Sequence, residues 1–208
     1  MEGGRGSRMK FVLYLLGLAA ISTTRLGAQA CHDGTYRWPA KVDLSLATKT
    51  PKHAYVGTIL SSWVPPDLWA GNSYNDAPRA GRELSVYYIV GWVRRIDTTE
   101  DDCDWHIEIT STKTSSADNC VVVEIPKGST TGLFGLARSK FESLLGESPH
   151  SGPVSPAVRM DFIGPAFFDS HHRGAKATNP NGAHGHGQCN SSARALWEIH
   201  PVYWVVQP

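Results

Sequence analysis

From Glu83 onward the chain alternates apolar and polar positions in short runs, and the period of each run predicts its element. "ELSVYYIVGWVRRI" (residues 83–96) is dense in β-branched and aromatic residues and reads as a long strand, with Gly91 inside it suggesting a bulge or sharp bend. "CDWHIEIT" alternates cleanly: Trp105, Ile107 and Ile109 face one way and Asp104, His106, Glu108 and Thr110 the other, the pattern of a half-buried strand. After the loop "STKTSSADN", the run "CVVVEIP" puts Val121, Val123 and Ile125 on one face and Glu124 on the opposite one. The period then lengthens. In "STTGLFGLARSKFESLLGE", Leu133, Leu136, Ala137, Phe141, Leu144 and Leu145 recur at three-to-four spacing, which predicts a helix capped by Ser129 or Thr130 and ended by Gly146. Strand character returns in "VRMDFIGPAFFD", bent near Gly164-Pro165, and again in "ALWEIHPVYWVV" beyond a loop rich in Gly, His and Asn.

Three strands, one helix and two strands is the element order of the OB-fold. The expected fold is therefore mainly β with one helix, a small five-stranded OB-fold-like barrel (β-β-β-α-β-β) over residues 83–208, with another small antiparallel barrel or sandwich as the rival. Residues 31–82 hold one plausible strand, "HAYVGTIL", and a stretch around Pro65-Pro66 that cannot form a regular element. They read as an irregular N-terminal arm wrapping the core. Residues 1–30 read as an export signal: Arg5, Arg8 and Lys10 precede the apolar "FVLYLLGLAAIS", and the small-residue site Ala28-Gln29-Ala30 stands just before Cys31. Twelve apolar residues are short for a membrane span, which needs about 20. Acylation of Cys31 is admitted by its place, but Ala28 stands where a lipoprotein signal usually carries leucine, so a lipid anchor is not favoured.

The remaining chain suits one exported domain, periplasmic or secreted. Setting aside Arg5, Arg8, Lys10, Arg25 and Glu2 turns the 20 basic and 19 acidic residues of the chain into 16 and 18. A net charge near −2 lacks the clustered basic face that phosphate backbones require, so nucleic acid is an unlikely partner. The even count of four cysteines, Cys31, Cys103, Cys120 and Cys189, favours two disulfides, and no CxxC suggests a zinc ribbon.

If the strands "DWHIEIT" and "CVVVEIP" pair about the loop near Ser115, Thr110 falls opposite Cys120 and His106 opposite Glu124. That register holds Cys103 and Cys120 too far apart to bond each other, and Cys189 becomes a candidate partner for one of them. Side chains able to bind a metal or move a proton are bunched: Asp104 and His106, Glu124, Asp169 with His171 and His172, His184 and His186, Glu198 and His200. Alternate strand residues share a face, so Asp104 with His106 and Glu198 with His200 can each aim two groups one way. Imidazoles and carboxylates suit zinc and other divalent metals. Asp104, His106, Asp169, His172 and His200 are the candidate ligands, and Glu124 or Glu198 the candidate general base for a bound water. His184 and His186 in "GAHGHG" read instead as a flexible polar loop. No GxSxG, HExxH or GxxxxGK[ST] is present, so acyl-transfer, zincin and nucleotide-hydrolysing chemistries lack their signatures.

"DCDWHIEI", "VVVEIP", "FIGPAFFDSHH" and "WEIHPVYWV" together resemble a group of exported bacterial proteins of uncharacterised function, with the pattern D-x-D-x-H, E-x-P, G-x-x-F-[FY]-D-x-x-H and E-[IL]-H-P. The matching positions are Asp102, Asp104, His106, Glu124, Pro126, Asp169, His172, Glu198 and His200, over about residues 86–205. The resemblance implies a β-barrel in an extracytoplasmic setting and supplies no reaction. Three functions follow as expectations: first a binding module presenting a His/Asp/Glu face to a metal ion or small ligand, then a metal-dependent hydrolase of phosphoesters or similar substrates, then a structural envelope protein.

Overall fold

Among the residues that the computed structural model describes (1, 31, 36–68, 76–116, 118–173, 186–189 and 192–208), three α-helices and seven strands are found. Apart from Met1, the expected export signal lies outside the described residues, as does His184. The elements are α1 (Trp38–Lys41), β1 (Lys52–Tyr55), α2 (Val56–Ser62), β2 (Val86–Asp97), β3 (Trp105–Thr110), β4 (Cys120–Ile125), α3 (Leu133–Leu145), β5 (Gly152–Phe168), β6 (Trp197–Ile199) and β7 (Trp204–Val206). Cys31–Pro208 forms one compact unit.

All seven strands join one sheet in the order β1-β2-β3-β4-β6-β5-β7, and β2 also pairs with β5. The pairings β2–β3, β3–β4, β4–β6, β6–β5 and β5–β2 therefore run in a cycle, parallel between β4 and β6 and antiparallel elsewhere. The expected β3–β4 register is present, with His106 opposite Glu124 and Thr110 opposite Cys120.

Three features correct the sequence reading. The described part of the arm is not wholly irregular. Lys52–Tyr55 pairs in parallel with Tyr87–Val90, and the expected strand over 53–60 turns at Val56 into α2, which buries Val56 and Ile59. The bulge of β2 is at Arg94, where the register shifts, rather than at Gly91. Gly91 answers a different need: a Cβ there would stand 2.7 Å from Ile109 Cβ, so only glycine lets β2 and β3 approach. The final strand is two strands. Pro201 offers no amide to a ladder, and the chain leaves β6 at His200, gives its Val202 amide to the Glu124 carbonyl (2.8 Å) and re-pairs with β5 at Trp204. Gly164 admits this detour, since a Cβ there would lie 2.3 Å from the Pro201 oxygen.

The core lies under α3. Ile107, Ile109, Val121, Val123 and Ile125 from the apolar faces of β3 and β4 pack with Ala137 and Phe141, while Leu136, expected to face inward, is 56 % exposed. The helix starts at Gly132 without a side-chain cap and ends on Gly146 in the left-handed region (φ 83°). The opposite faces of β3 and β4 were expected to meet solvent. They are buried as well, because the arm and the 186–189 segment cover them.

Two disulfides fasten those covers, Cys31–Cys103 and Cys120–Cys189. Cys103 and Cys120 each bond elsewhere, as the register requires. With its sulfur bonded to Cys103, Cys31 has no thiol to carry a lipid thioether. The arm is further held by Arg37, which donates from Nη1 and Nη2 to the two Glu83 oxygens (2.8 and 2.7 Å) and lies 4.5 Å over the Phe167 ring. This clamp sits one turn before Lys41 and so sets where the Lys41 ammonium reaches.

Candidate metal centre

The buried polar faces of β3, β4 and β6 meet each other. Asp104, His106, Glu108, Glu124, Asp169, His186, Glu198 and His200 are all at most 5 % exposed. Charged groups at such depth are costly unless paired or bound to a metal. Pairing here is dense but incomplete.

Three imidazoles share one arrangement. His106 Nδ1 donates to Glu124 Oε1 (3.0 Å), His200 Nδ1 to Glu198 Oε1 (3.1 Å), and His186 Nδ1 to the Ala195 carbonyl (3.0 Å). A carbonyl oxygen can only accept, so the His186 proton is on Nδ1. In each ring Nε2 is left buried without a hydrogen-bond partner. His186 Nε2 stands 3.1 Å from Glu198 Oε2, His200 Nε2 3.2 Å from Asp104 Oδ2, and His106 Nε2 3.9 Å from Glu108 Oε1. Asp104 Oδ2, Glu124 Oε2 and Glu198 Oε2 are likewise buried without a hydrogen bond, although Glu124 Oε2 lies 2.7 Å from His200 Nδ1 as an ion pair.

The charges lean on one another strongly. Burial disfavours the His200 imidazolium, but Glu124, Asp104 and Glu198 outweigh it and hold its pKa well above the ordinary histidine value. His106 is raised well above that value against burial by Glu100 and Glu124, and His186 is raised by Glu198. Glu124 is held well below the carboxylate range, against burial, by Lys41, His200 and His106. Glu198 is held down at about 2, despite its burial and the charge of Glu124, by His186 and His200. Burial lowers His172, against the pull of Asp169.

Every residue expected as a ligand or base is in this region, but not as one site. The groups whose donor atoms lie within 4.8 Å of one another are Asp104, Glu124 and His200; His106, Glu124 and His186; and Asp169, His172 and His186. A fourth, Glu108 with Cys120 and Cys189, offers no thiolate because the sulfurs are bonded to each other. Asp169 and His172 are brought together (Oδ2 to Nε2 3.8 Å) by the 3-10 turn Ser170–Arg173. His171 is exposed and joins none of these groups.

Two residues central to the geometry were missed. His186 reads as flexible in the sequence, yet the Cys189 amide donates back to its carbonyl (3.1 Å), Gly187 turns at φ +61°, and the disulfide fixes the turn on β4. The signal available was a cysteine three residues beyond the histidine. Lys41, from the arm, lies 3.8 Å from both Glu124 Oε2 and Asp169 Oδ2, with its pKa held well above the ordinary lysine value by Glu124, Asp169 and Glu198 against burial. Nothing in "RWPAKVD" announces that position.

Among the described residues, a cavity reaches the cluster. It measures about 250 Å³ and is lined by Tyr36, Lys41, Glu100, Asp102, Asp169, His171 and His172. A separate groove of about 320 Å³ beside α3 and β5 holds none of the buried polar groups. No helix among the described residues is long and apolar enough to cross a membrane. No protein-family model, no curated protein and no solved structure matches the chain. Function therefore rests on the site's own chemistry.

Proposed function

We propose that this protein is an extracytoplasmic binding module whose cluster of histidine, aspartate and glutamate holds a divalent cation such as zinc. The scaffold in this reading is a small OB-fold-like barrel formed by the cycle β2-β3-β4-β6-β5, with β1 and β7 added at its margins. The two disulfides support an oxidising compartment.

The observation that carries the reading is the common set of the three buried imidazoles. Each fixes its Nδ1 proton on an oxygen and turns an unpartnered Nε2 toward carboxylate oxygens. Metal-binding histidines are oriented in this way, with the far N–H given to a carboxylate or backbone carbonyl. A purely structural histidinium would instead spend Nε2–H on its nearest carboxylate. Asp104 Oδ2 and Glu198 Oε2 are near enough to accept such bonds but lack the angle.

A metal-dependent hydrolase is the second reading, favoured by the cavity that reaches Asp169 and His172. Glu198 serves it poorly as a base, being fully enclosed between two imidazoles. The geometry favours Glu124 and Glu198 as ligands or ligand-orienting groups.

The test is the metal content of the purified protein, wild type against His200→Ala, with thermal melts in the presence and absence of chelator. A bound divalent metal, lost in the variant, and a melting temperature lowered by chelator are expected. Absence of metal together with insensitivity to chelator overturns the proposal. A destabilised His200→Ala with no metal in either protein would then assign His200 to a buried hydrogen-bonded network.

A further inference from the structure

We propose that the cluster holds two divalent cations at once: an enclosed one on Asp104, Glu124 and His200, and an outer one on Asp169, His172 and His186 that exchanges through the cavity. This rests on the cation-binding reading above and adds to it the number, the ligands and the accessibility of the positions.

The first argument is the sharing of ligands. The group of His106, Glu124 and His186 overlaps both of the others, whereas Asp104, Glu124 and His200 have no residue in common with Asp169, His172 and His186. His186 has only Nε2 to offer, because Nδ1–H is committed to the Ala195 carbonyl. One imidazole nitrogen binds one cation, so the two groups that use His186 cannot both be filled. The disjoint pair can.

Charge supplies the second argument. Five carboxylates, Asp104, Glu108, Glu124, Asp169 and Glu198, are buried together. Among the described residues, Lys41 is the only lysine or arginine in ion-pair contact with them. Four negative charges remain. A single divalent cation offsets only two of them. Two divalent cations balance all four.

The positions differ in access. Asp104, Glu124 and His200 are at most 3 % exposed. The His172 side chain is 36 % exposed and, with Asp169, lines the cavity of about 250 Å³. Its Nε2 lies 3.8 Å from Asp169 Oδ2. Ligand atoms about 2.1 Å from a tetrahedral zinc lie about 3.4 Å from each other, so the pair closes on an ion with a shift of a few tenths of an ångström. Two of the three protein ligands, Asp169 and His172, line the cavity, which opens a fourth position to water or an exogenous donor.

The experiment is a titration of the chelator-stripped full chain with cobalt(II), read by visible absorbance and by metal analysis after desalting. Wild type is expected to take two equivalents, one surrendered rapidly to a competing chelator and one slowly. His172→Gln, at the half-exposed rim, and Asp169→Asn should each retain only the slow equivalent, and Asp104→Asn should lose that one and keep the fast one. Saturation of wild type at one equivalent overturns the inference while the cation-binding reading stands. Retention of both equivalents in His172→Gln and Asp169→Asn overturns the outer assignment. No cobalt bound by wild type overturns both the inference and the reading it rests on.

Discussion

Glu198 Oε2 stands 3.1 Å from His186 Nε2, and neither atom has a hydrogen-bond partner. With Nδ1 protonated toward Ala195, the Nε2 of a neutral His186 has only a lone pair to set beside the carboxylate oxygen. Such a contact is stable only with a proton or a cation between or beside the two atoms. Glu198→Gln tests the alternatives, because a side-chain amide can donate to the neutral ring where a carboxylate cannot. The metal-free variant is expected to fold normally and to lose about 10–100-fold in cation affinity, measured by chelator competition, since orienting partners of metal ligands carry effects of that size. Unchanged affinity would remove Glu198 from the site.

The titrating groups give a pH dependence with a defined sign. His106, His186 and His200 are raised above the ordinary value of 6.5, so their contribution to the metal-free fold is complete below 6.5 and is lost as pH rises through their folded values. Glu124 and Glu198 are lowered from 4.5, so theirs is complete above 4.5 and is lost as pH falls, for Glu198 toward about 2. The chelator-treated protein should melt highest between those two limits and lower on either side. Cation binding needs neutral imidazoles, so it strengthens as pH rises. The difference in melting temperature between untreated and chelator-treated protein is therefore expected to widen with pH, and a narrowing would contradict the metal centre.

The Cys120–Cys189 bond ties the His186 turn to β4, and none of the described helices or strands includes that turn. Replacing both cysteines by serine should cost about 2–5 kcal/mol of stability. It should also weaken cobalt binding beyond what the matched Cys31→Ser/Cys103→Ser protein shows. Equal losses from the two pairs would mean that His186 keeps its place without the tether.

How far the sequence disclosed all this follows from the range of the interactions. Alternation placed His106 and Glu124 on one face and their cross-strand pairing could be written from the loop length, because both depend on residues close in the chain. Asp169 and His172 stand out by residue type and by the motif resemblance, and His200 also by sharing a strand face with Glu198. The burial of the polar face could not be read, because its covers are the arm and the 186–189 turn, which reach it through disulfides spanning 72 and 69 residues. Lys41 was invisible for the same reason. β1 lies within the expected strand "HAYVGTIL" and β7 within the expected "ALWEIHPVYWVV", but their places in the sheet are set by neighbours distant in the chain, Tyr87–Val90 for one and Asp161–Ile163 for the other.

Gly187 is the tightest point of the cover. Its φ of +61° suits glycine, and a Cβ there would lie 2.2 Å from Glu108 Oε1 and 2.7 Å from His106 Nε2. Gly187→Ala is expected to destabilise the protein by about 1–3 kcal/mol from backbone strain and to displace the His186 ring. Chemical denaturation reads the first effect and cobalt titration the second. A variant with wild-type stability would show that the turn relaxes freely.

The arm's hold on the sheet can be measured apart from any metal. Arg37 meets Glu83 through two parallel bonds, both side chains are at most 2 % exposed, and Glu83 Oε1 also accepts the Phe168 amide (2.8 Å). Removing one partner of such a pair strands the other charge in the interior. Arg37→Ala and Glu83→Ala are each expected to cost about 3–5 kcal/mol in chemical denaturation. The double variant should cost much less than their sum, since it leaves neither charge stranded. Additive losses would mean that each side chain acts through other partners, Arg37 through its bond to the Ala77 carbonyl and its contact with Phe167, and Glu83 through the Phe168 and Ala80 amides. Because the clamp precedes Lys41 by one turn, the single variants should also free the Lys41 ammonium from Glu124 and Asp169.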